Sequence, residues 1–336
     1  MPVRLLPWQP EYGTAMQFDA DAPDFGDGDD VVVDLTVESP TWAPVTRSAP
    51  VDRVYLVDGV RRAEAHALDD DGGASNGTPA LGLFGSYAIG AVELAGGRAS
   101  LMHDRIRVER RYLHTGTSEV PDRVLAFQQT QLAFASRTVA TASRANDLVA
   151  ALNRAMLDEE ARLAETLSED ESTLTLVDGP LRSLRTPGRR VVGYVKRIQQ
   201  WYVPRAELEL LATLLPGERT PLFRIPGSAE DPLHLADGRF SWFVRLPAPG
   251  PHVHYLGGVL RLECSAAISI ERAAELADQT ATLLPRLASS PVRDPRAPQN
   301  LTPIGALEAH LTHLLGDRRL ISRLLIASIA REETAA

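Results

Sequence analysis

Residues 173–197, TLTLVDGPLRSLRTPGRRVVGYVKR, decide the reading of the chain. The run Leu174-Thr175-Leu176-Val177 is short, apolar and β-branched, as expected of a strand buried on both faces. Asp178 sits where that strand leaves the sheet. Gly179 permits a sharp turn, and Pro180 stops the hydrogen-bond ladder. A basic turn follows, then a second apolar strand, residues 191–195, that ends in Lys196 and Arg197. A carboxylate at such a strand end projects from a rigid platform into reach of a metal ion or a substrate.

The same arrangement occurs earlier, in Val54-Tyr55-Leu56-Val57-Asp58-Gly59. If the two strands are parallel neighbours, Asp58 and Asp178 project from one edge of the sheet, where open α/β sheets take their ligands. Two close carboxylates repel unless a cation lies between them. Their hard oxygens favour Mg2+ or Mn2+. Each Asp-Gly pair alone would be an ordinary turn after a strand; the duplication is what points to a site.

Composition narrows the class. With 336 residues, 44% of them hydrophobic and 24% charged, the chain is expected to be a soluble globular protein of one large or two ordinary domains. The start MPVRLLPWQPEYG lacks a signal-peptide pattern, and no apolar run reaches membrane length, so a cytoplasmic location is expected. A single cysteine, Cys264, excludes an internal disulfide and a cysteine-rich zinc site. His252 and His254 could be half a zinc site but have no further cysteine or histidine nearby in sequence. The net charge of −9 argues against a generally basic nucleic-acid binder. The charge is segregated, however. Acids crowd 18–34 and 158–171, and arginines crowd 105–111 and 182–197, so the second basic block flanks Asp178. A positive rim around metal-binding acids suits a phosphodiester. Arg61, Arg182 and Arg197 are the candidate phosphate contacts, against the plain alternative of solvated arginines. Lys196 is the sole lysine among 35 basic side chains. A compact, flexible point charge differs from a guanidinium. Lys196 is therefore expected to touch a scissile phosphate or a metal-site carboxylate.

Along the chain, residues 1–50 are rich in Pro, Asp and Gly and are expected to be an extension, with an exposed-looking Trp42. Residues 81–108 have the pattern of a β-meander turning at Gly96-Gly97. Residues 121–166 are expected to be helical from the spacing of Leu125, Leu132, Val139, Leu148, Leu152 and Leu163. Three strands, a long helix and then a strand ending in an acid is the order of ribonuclease-H-like folds. The fold expected is therefore α/β, a ribonuclease-H-like mixed sheet flanked by helices, with extra strands and C-terminal helices. Near the end of the long helix, Glu159 and Glu160 diverge by about 100°, so only one can face the sheet as a third ligand. Further strands are expected near 222–225, 240–246 and 254–264. Trp201 and Tyr202 are more readily core than base-stacking groups, and Arg261-Leu262-Glu263 could form a cross-strand pair or line the groove. A helix over 270–287, a Pro-rich linker over 288–300 and two closing helices complete the chain. His310 and His313 share a face of the first of these, where a histidine could activate water or protonate a leaving oxygen. No P-loop, H-E-x-x-H or G-x-S-x-G motif is present.

Taken in order, VYLVDG, LTLVDGPL, VVGYVKR and TPIGALEAHL resemble the motif series of the NurA nucleases, from about residue 51 to 329. That resemblance implies a nuclease domain over 51–336 with a ribonuclease-H-like core. It implies hydrolysis of DNA as a 5′–3′ exonuclease and single-strand endonuclease, with manganese as the expected ion. By motif position, Asp58 and Asp178 match the two metal-binding aspartates and Glu160 the acidic helix residue, with Glu159 the close alternative. Lys196 matches the lysine after the second motif strand, and His310 the C-terminal histidine. The family often has an aromatic before the proline matching Pro303, where this chain has Thr302. The implied partners are a HerA-type hexameric translocase and a second copy of the chain, in end resection or defence. Two other readings stand beside it: a DNA-binding adaptor of an ATPase with little activity of its own, and a nuclease of the same fold acting on RNA or a hybrid.

Overall fold

The computed structural model describes residues 3–5, 32–69, 79–116, 120–127, 130–182, 184–186, 188–196, 198, 200–227, 237–247, 255–290, 292 and 297–335. Five strands form its centre. β2 (Arg53–Asp69), β3 (Ala80–Ala95) and β5 (Arg107–His114) make an antiparallel meander. Helix α1 (Ala145–Leu167) then crosses over, β8 (Leu174–Asp178) pairs parallel to β2, and β9 (Val191–Val195) pairs parallel to β8. The spatial order β5-β3-β2-β8-β9 is that of a ribonuclease-H-like sheet.

The sheet continues on both sides. Beyond β9 lie β12 (Val259–Ser265), β11 (Arg239–Arg245) and β10 (Phe223–Ile225), all antiparallel, with the short α2 (Glu209–Thr213) in the chain between β9 and β10. Beyond β5 lie β7 (Thr130–Thr138) and β6 (Arg123–Phe127). β1 (Val3–Leu5) pairs with the end of β2, and β4 (Arg98–Leu101) with β3.

Strand alternation sends successive side chains to opposite faces. On one face Val57, Ile89 and Val177 meet Leu152, Met156 and Leu163 of α1. On the other, Val54, Leu56, Leu174 and Leu176 meet Leu276 and Leu284 of α3 (Ile270–Leu287) and Leu307 and Leu311 of α4 (Thr302–Leu314). Each such side chain contributes about 1.5–3 kcal/mol by leaving water, which fixes the helices on their faces. The closing α5 (Arg318–Ala335) covers β6 and the far end of β2, with Ile321, Leu324 and Leu325 buried in the same cluster as Ala67 and Leu125. Among the described residues no helix is long and apolar enough to cross a membrane.

Three expectations change. Residues 121–166 are not helical throughout: 123–127 and 130–138 are strands. The seven-residue spacing of Leu125, Leu132 and Val139 imitates a helix, but burial alternates, with Val124 exposed and Leu125 buried. Phe134 is buried against Phe84. Second, β2 does not stop at Asp58-Gly59 but runs on for ten residues to Asp69. Third, Trp42 is half-buried, edge-on to Phe223, and its indole N–H donates to the Glu207 carbonyl. The segment around it is tied to the body by Glu38, whose carboxylate takes two bonds from the wholly buried Arg219; that guanidinium also meets Asp278 of α3.

Candidate metal centre

Asp58 lies within β2, opposite Gly90 of β3. A side chain at Gly90 would press on Leu307 and Leu311 of α4, each 3.3 Å from where its Cβ would stand. The bare backbone there lets α4 lie close to the sheet. Arg62 and Arg110 donate to the Leu315 carbonyl beyond the end of α4, and Arg62 also donates to Gly316, which is favourable chemistry for a helix C-terminus. Pro303 stands in the first turn, where its missing N–H costs nothing. Held in this way, α4 brings Glu308 over Asp58 and the end of β8. Asp58, Asp178 and Glu308 each present a carboxylate oxygen, and the three oxygens lie within 4.8 Å of one another.

Asp58 is 6% exposed. One of its oxygens accepts the Gly59 N–H at 2.8 Å, and the other is buried with no hydrogen-bond partner among the described residues. Burial, then the charges of Asp178 and Glu160, push its carboxyl well above the usual range, with Lys196 opposing and Glu308 adding to the shift. A buried, unsatisfied carboxylate oxygen among other acids is the chemistry a hard divalent cation relieves. The donor set fits such an ion.

Glu160 approaches from the opposite face on α1 and is 1% exposed. Its carboxylate occupies the space above Gly59, with Oε1 only 2.4 Å from where a Cβ would be. Burial, reinforced by Asp178 and opposed by Arg182, pushes its carboxyl up to about 8. Glu159 turns outward instead and pairs with Arg107 and Arg162. The alternative between the two acids is thus separated by the helix: Glu160 faces the aspartates and Glu159 the solvent side.

Lys196 follows β9, and its Nζ lies 2.5 Å from Asp178 Oδ2 and 3.0 Å from Asn300 Oδ1. The same ammonium stands 5.4 Å above the ring of Tyr194, the register partner of Asp178. Tyr194 is fully buried with no hydrogen-bond partner for its hydroxyl among the described residues. Burial, then Asp178 and Asp58, raise its phenol far above the ordinary value, so it stays protonated.

The other expected site residues are more dispersed. His310 is half-buried and meets His103 edge to face at 5.6 Å. It is not in the group whose ligand atoms converge; two positions on a helix differ by about 200°, and it is Glu308 that turns inward. Arg61 is held by Asn153 of α1 at 2.8 Å. Arg182 lines a pocket beside Glu160 and Asp178, 3.9 Å from Asp158. Arg197 lies outside the described residues, as do His252 and His254. Sequence reasoning missed Glu308, Tyr194 and Asn300. Glu308 and Tyr194 stand inside the quoted motifs TPIGALEAHL and VVGYVKR, so the signal was the motif rather than the residue type.

A family model described as the NurA domain matches residues 74–304. That span contains Glu160, Asp178 and Lys196; Asp58 and Glu308 lie just outside it. Among solved structures, the crystal structure of the NurA nuclease from Sulfolobus solfataricus is similar over 96% of this chain and 93% of that one, with a TM-score of 0.46 and 10% identity. No curated protein sequence matches the chain.

Proposed function

The chain belongs to the NurA family, and from that premise we propose that it is a metal-dependent nuclease hydrolysing phosphodiester bonds in DNA. The observation that carries the reading is the convergence of Asp58, Asp178 and Glu308 from three distant segments, with a lysine on Asp178 and a buried Glu160 behind. Asp58, Asp178 and Glu308 would hold a divalent ion, Mn2+ or Mg2+, with Glu160 as a further acid at its edge. Bound there, such an ion supplies Lewis acidity at the phosphate and a more acidic water.

The chain's own groups have separable tasks. Asp58 and Asp178 concentrate negative charge at one sheet edge, which favours a cation over any other occupant. Lys196, anchored by Asp178 and Asn300, places one fixed positive charge where a phosphate would arrive, so little reorganisation is needed as charge develops there. Tyr194 offers a hydroxyl proton rather than a charge. Arg61 and Arg182 would extend a positive rim along which a strand could track, and Arg197 is a further candidate from the sequence alone. His310 stands about 200° around α4 from Glu308, beside His103, so the family likeness alone would give it a task at the substrate. The family likeness supplies the finer reading: 5′–3′ exonuclease and single-strand endonuclease action, a homodimer, and a HerA-type translocase that feeds the strand.

The test is a cutting assay on linear and circular single-stranded DNA with Mn2+, using the wild-type protein and Asp58→Ala. Wild-type cutting that the variant lacks is the expected result. Equal cutting by both preparations assigns the activity to a contaminant or another site, and no cutting by either leaves an adaptor. Substituting RNA or an RNA–DNA hybrid in the same assay separates a ribonuclease. Light scattering with and without the translocase tests the dimer and the partner.

A further inference from the structure

Glu263 stands outside the acid cluster, yet it grips the turn that carries Asp178. It lies on β12, opposite Gly193 of β9, and its side chain is fully buried. Its two oxygens face different ways. Oε1 accepts the backbone N–H of Leu181 at 2.7 Å. Oε2 accepts from Arg261 Nη1 at 2.6 Å and lies 3.6 Å from Arg239 Nε. Both arginines stack on the ring of Tyr202, at 4.9 and 5.7 Å, so their positions are set from above as well.

The turn has no freedom on its other side. The backbone of residues 179–181 lies directly on Gly193, where an added Cβ would stand 2.6 Å from Leu181 N and 2.8 Å from Gly179 O. Gly179 N donates to the Tyr194 carbonyl at 3.0 Å. The chain leaving Asp178 is therefore clamped at two amides, one by β9 and one by a carboxylate from the next strand. Holding Leu181 does not require a charged group, since a neutral oxygen would accept that bond. A carboxylate serves both sides at once: the buried arginines fix it, and it fixes the turn.

We propose that Glu263 is a positioning residue for Asp178, setting the aim of that aspartate through the 178–181 turn; this rests on the nuclease reading above. The experiment uses the full chain as wild type, Glu263→Ala, Glu263→Gln and Gly193→Ala. Three quantities are measured on each: hydrogen exchange of the peptide containing Leu181 without metal, the Kd for Mn2+, and kcat and KM on a single-stranded oligonucleotide. In Glu263→Ala the Leu181 amide should exchange faster, and Mn2+ affinity and kcat should fall by roughly 10–100-fold, with KM for DNA little changed. Glu263→Gln, which keeps one acceptor oxygen, should fall between alanine and wild type. Gly193→Ala leaves Glu263 intact but pushes the turn outward, and should weaken Mn2+ in the same direction; this variant and the glutamine keep the test open if the alanine variant does not fold. Variants that melt earlier but bind Mn2+ and turn over like wild type make Glu263 a merely structural residue and overturn the proposal. Unchanged Leu181 exchange in Glu263→Ala also overturns it. A wild-type protein that neither binds Mn2+ nor cuts DNA removes the nuclease reading itself, and the inference with it.

Discussion

The tripeptide Val-Asp-Gly occurs once within β2 and once at the end of its parallel neighbour β8, and does two different jobs. At Val57-Asp58-Gly59 the strand runs straight on, and Gly59 is there because Glu160 fills the place of its side chain. At Val177-Asp178-Gly179 the strand ends, and Gly179 is there because its φ of +101° is one that other residues rarely adopt. Asp58 is consequently walled in, with an unsatisfied oxygen, while Asp178 stands partly buried at the end of its strand with Lys196 on it. Identical local sequence thus yields one deep carboxylate with an unsatisfied oxygen and one partly buried carboxylate paired with a lysine. The difference comes from what packs above each glycine.

The largest effect expected of this pair is on cutting. Asp58→Asn and Asp178→Asn should each reduce the Mn2+-dependent rate by more than about a hundredfold, since outer-shell partners alone cost roughly 10–100-fold. Retained activity in either one breaks the symmetry of the two aspartates, and a steady-state assay on single-stranded DNA decides it. Next are the glycines. Gly59→Ala should drive Glu160 aside and lower Mn2+ affinity, with an overpacking cost of about 1–3 kcal/mol. Gly179→Ala should cost a similar ~1–3 kcal/mol through backbone strain, while perturbing Mn2+ binding less. Calorimetric titration beside thermal melting distinguishes the two.

A third expectation concerns pH. Glu160 is held at about 8, against an ordinary value near 4.5. The unfolded chain therefore releases that proton near pH 4.5, while the folded, metal-free chain keeps it until about pH 8. Stability should fall as pH rises through that window and level off above it. Asp58, shifted in the same direction, adds to the fall. Denaturation midpoints in chelator across this range should show the decline, and Glu160→Gln should flatten it. By the same linkage, Mn2+ should bind more tightly as pH approaches 8 and release protons when it does. The smallest effect belongs to Glu159→Gln, which removes only partly exposed pairs with Arg107 and Arg162. Its stability should stay within about 0.5 kcal/mol of wild type, with cutting unchanged; a large loss would mean that Glu159 and Glu160 had been assigned the wrong way round.

Much of the centre was legible because strands buried on both faces are written as short continuous apolar runs. The stretches 54–57, 174–177 and 191–195, the helix 270–287 and the contact of Lys196 with a site carboxylate follow from local pattern and charge type. The strands β6 and β7 were not legible, because Leu125 and Leu132, seven positions apart, keep a helical period while in the fold they face each other as register partners on two separate strands. Glu308 was hidden for another reason. Which face of α4 meets the sheet depends on Gly90, more than 200 residues earlier in the chain, and a motif containing both Glu308 and His310 draws attention to the histidine. Glu263 was visible only as one of an alternating set. Its grip on Leu181 is a contact across 82 positions that no local pattern records.

The placement of Glu308 on α4 has a consequence for the life of the polypeptide. During synthesis the two aspartates emerge long before that helix, so a half-made chain carries an incomplete set of donors. The ability to cut would be switched on only after the helix at 302–314 has left the ribosome and docked. A cell could therefore produce this protein beside its own nucleic acid without arming it early.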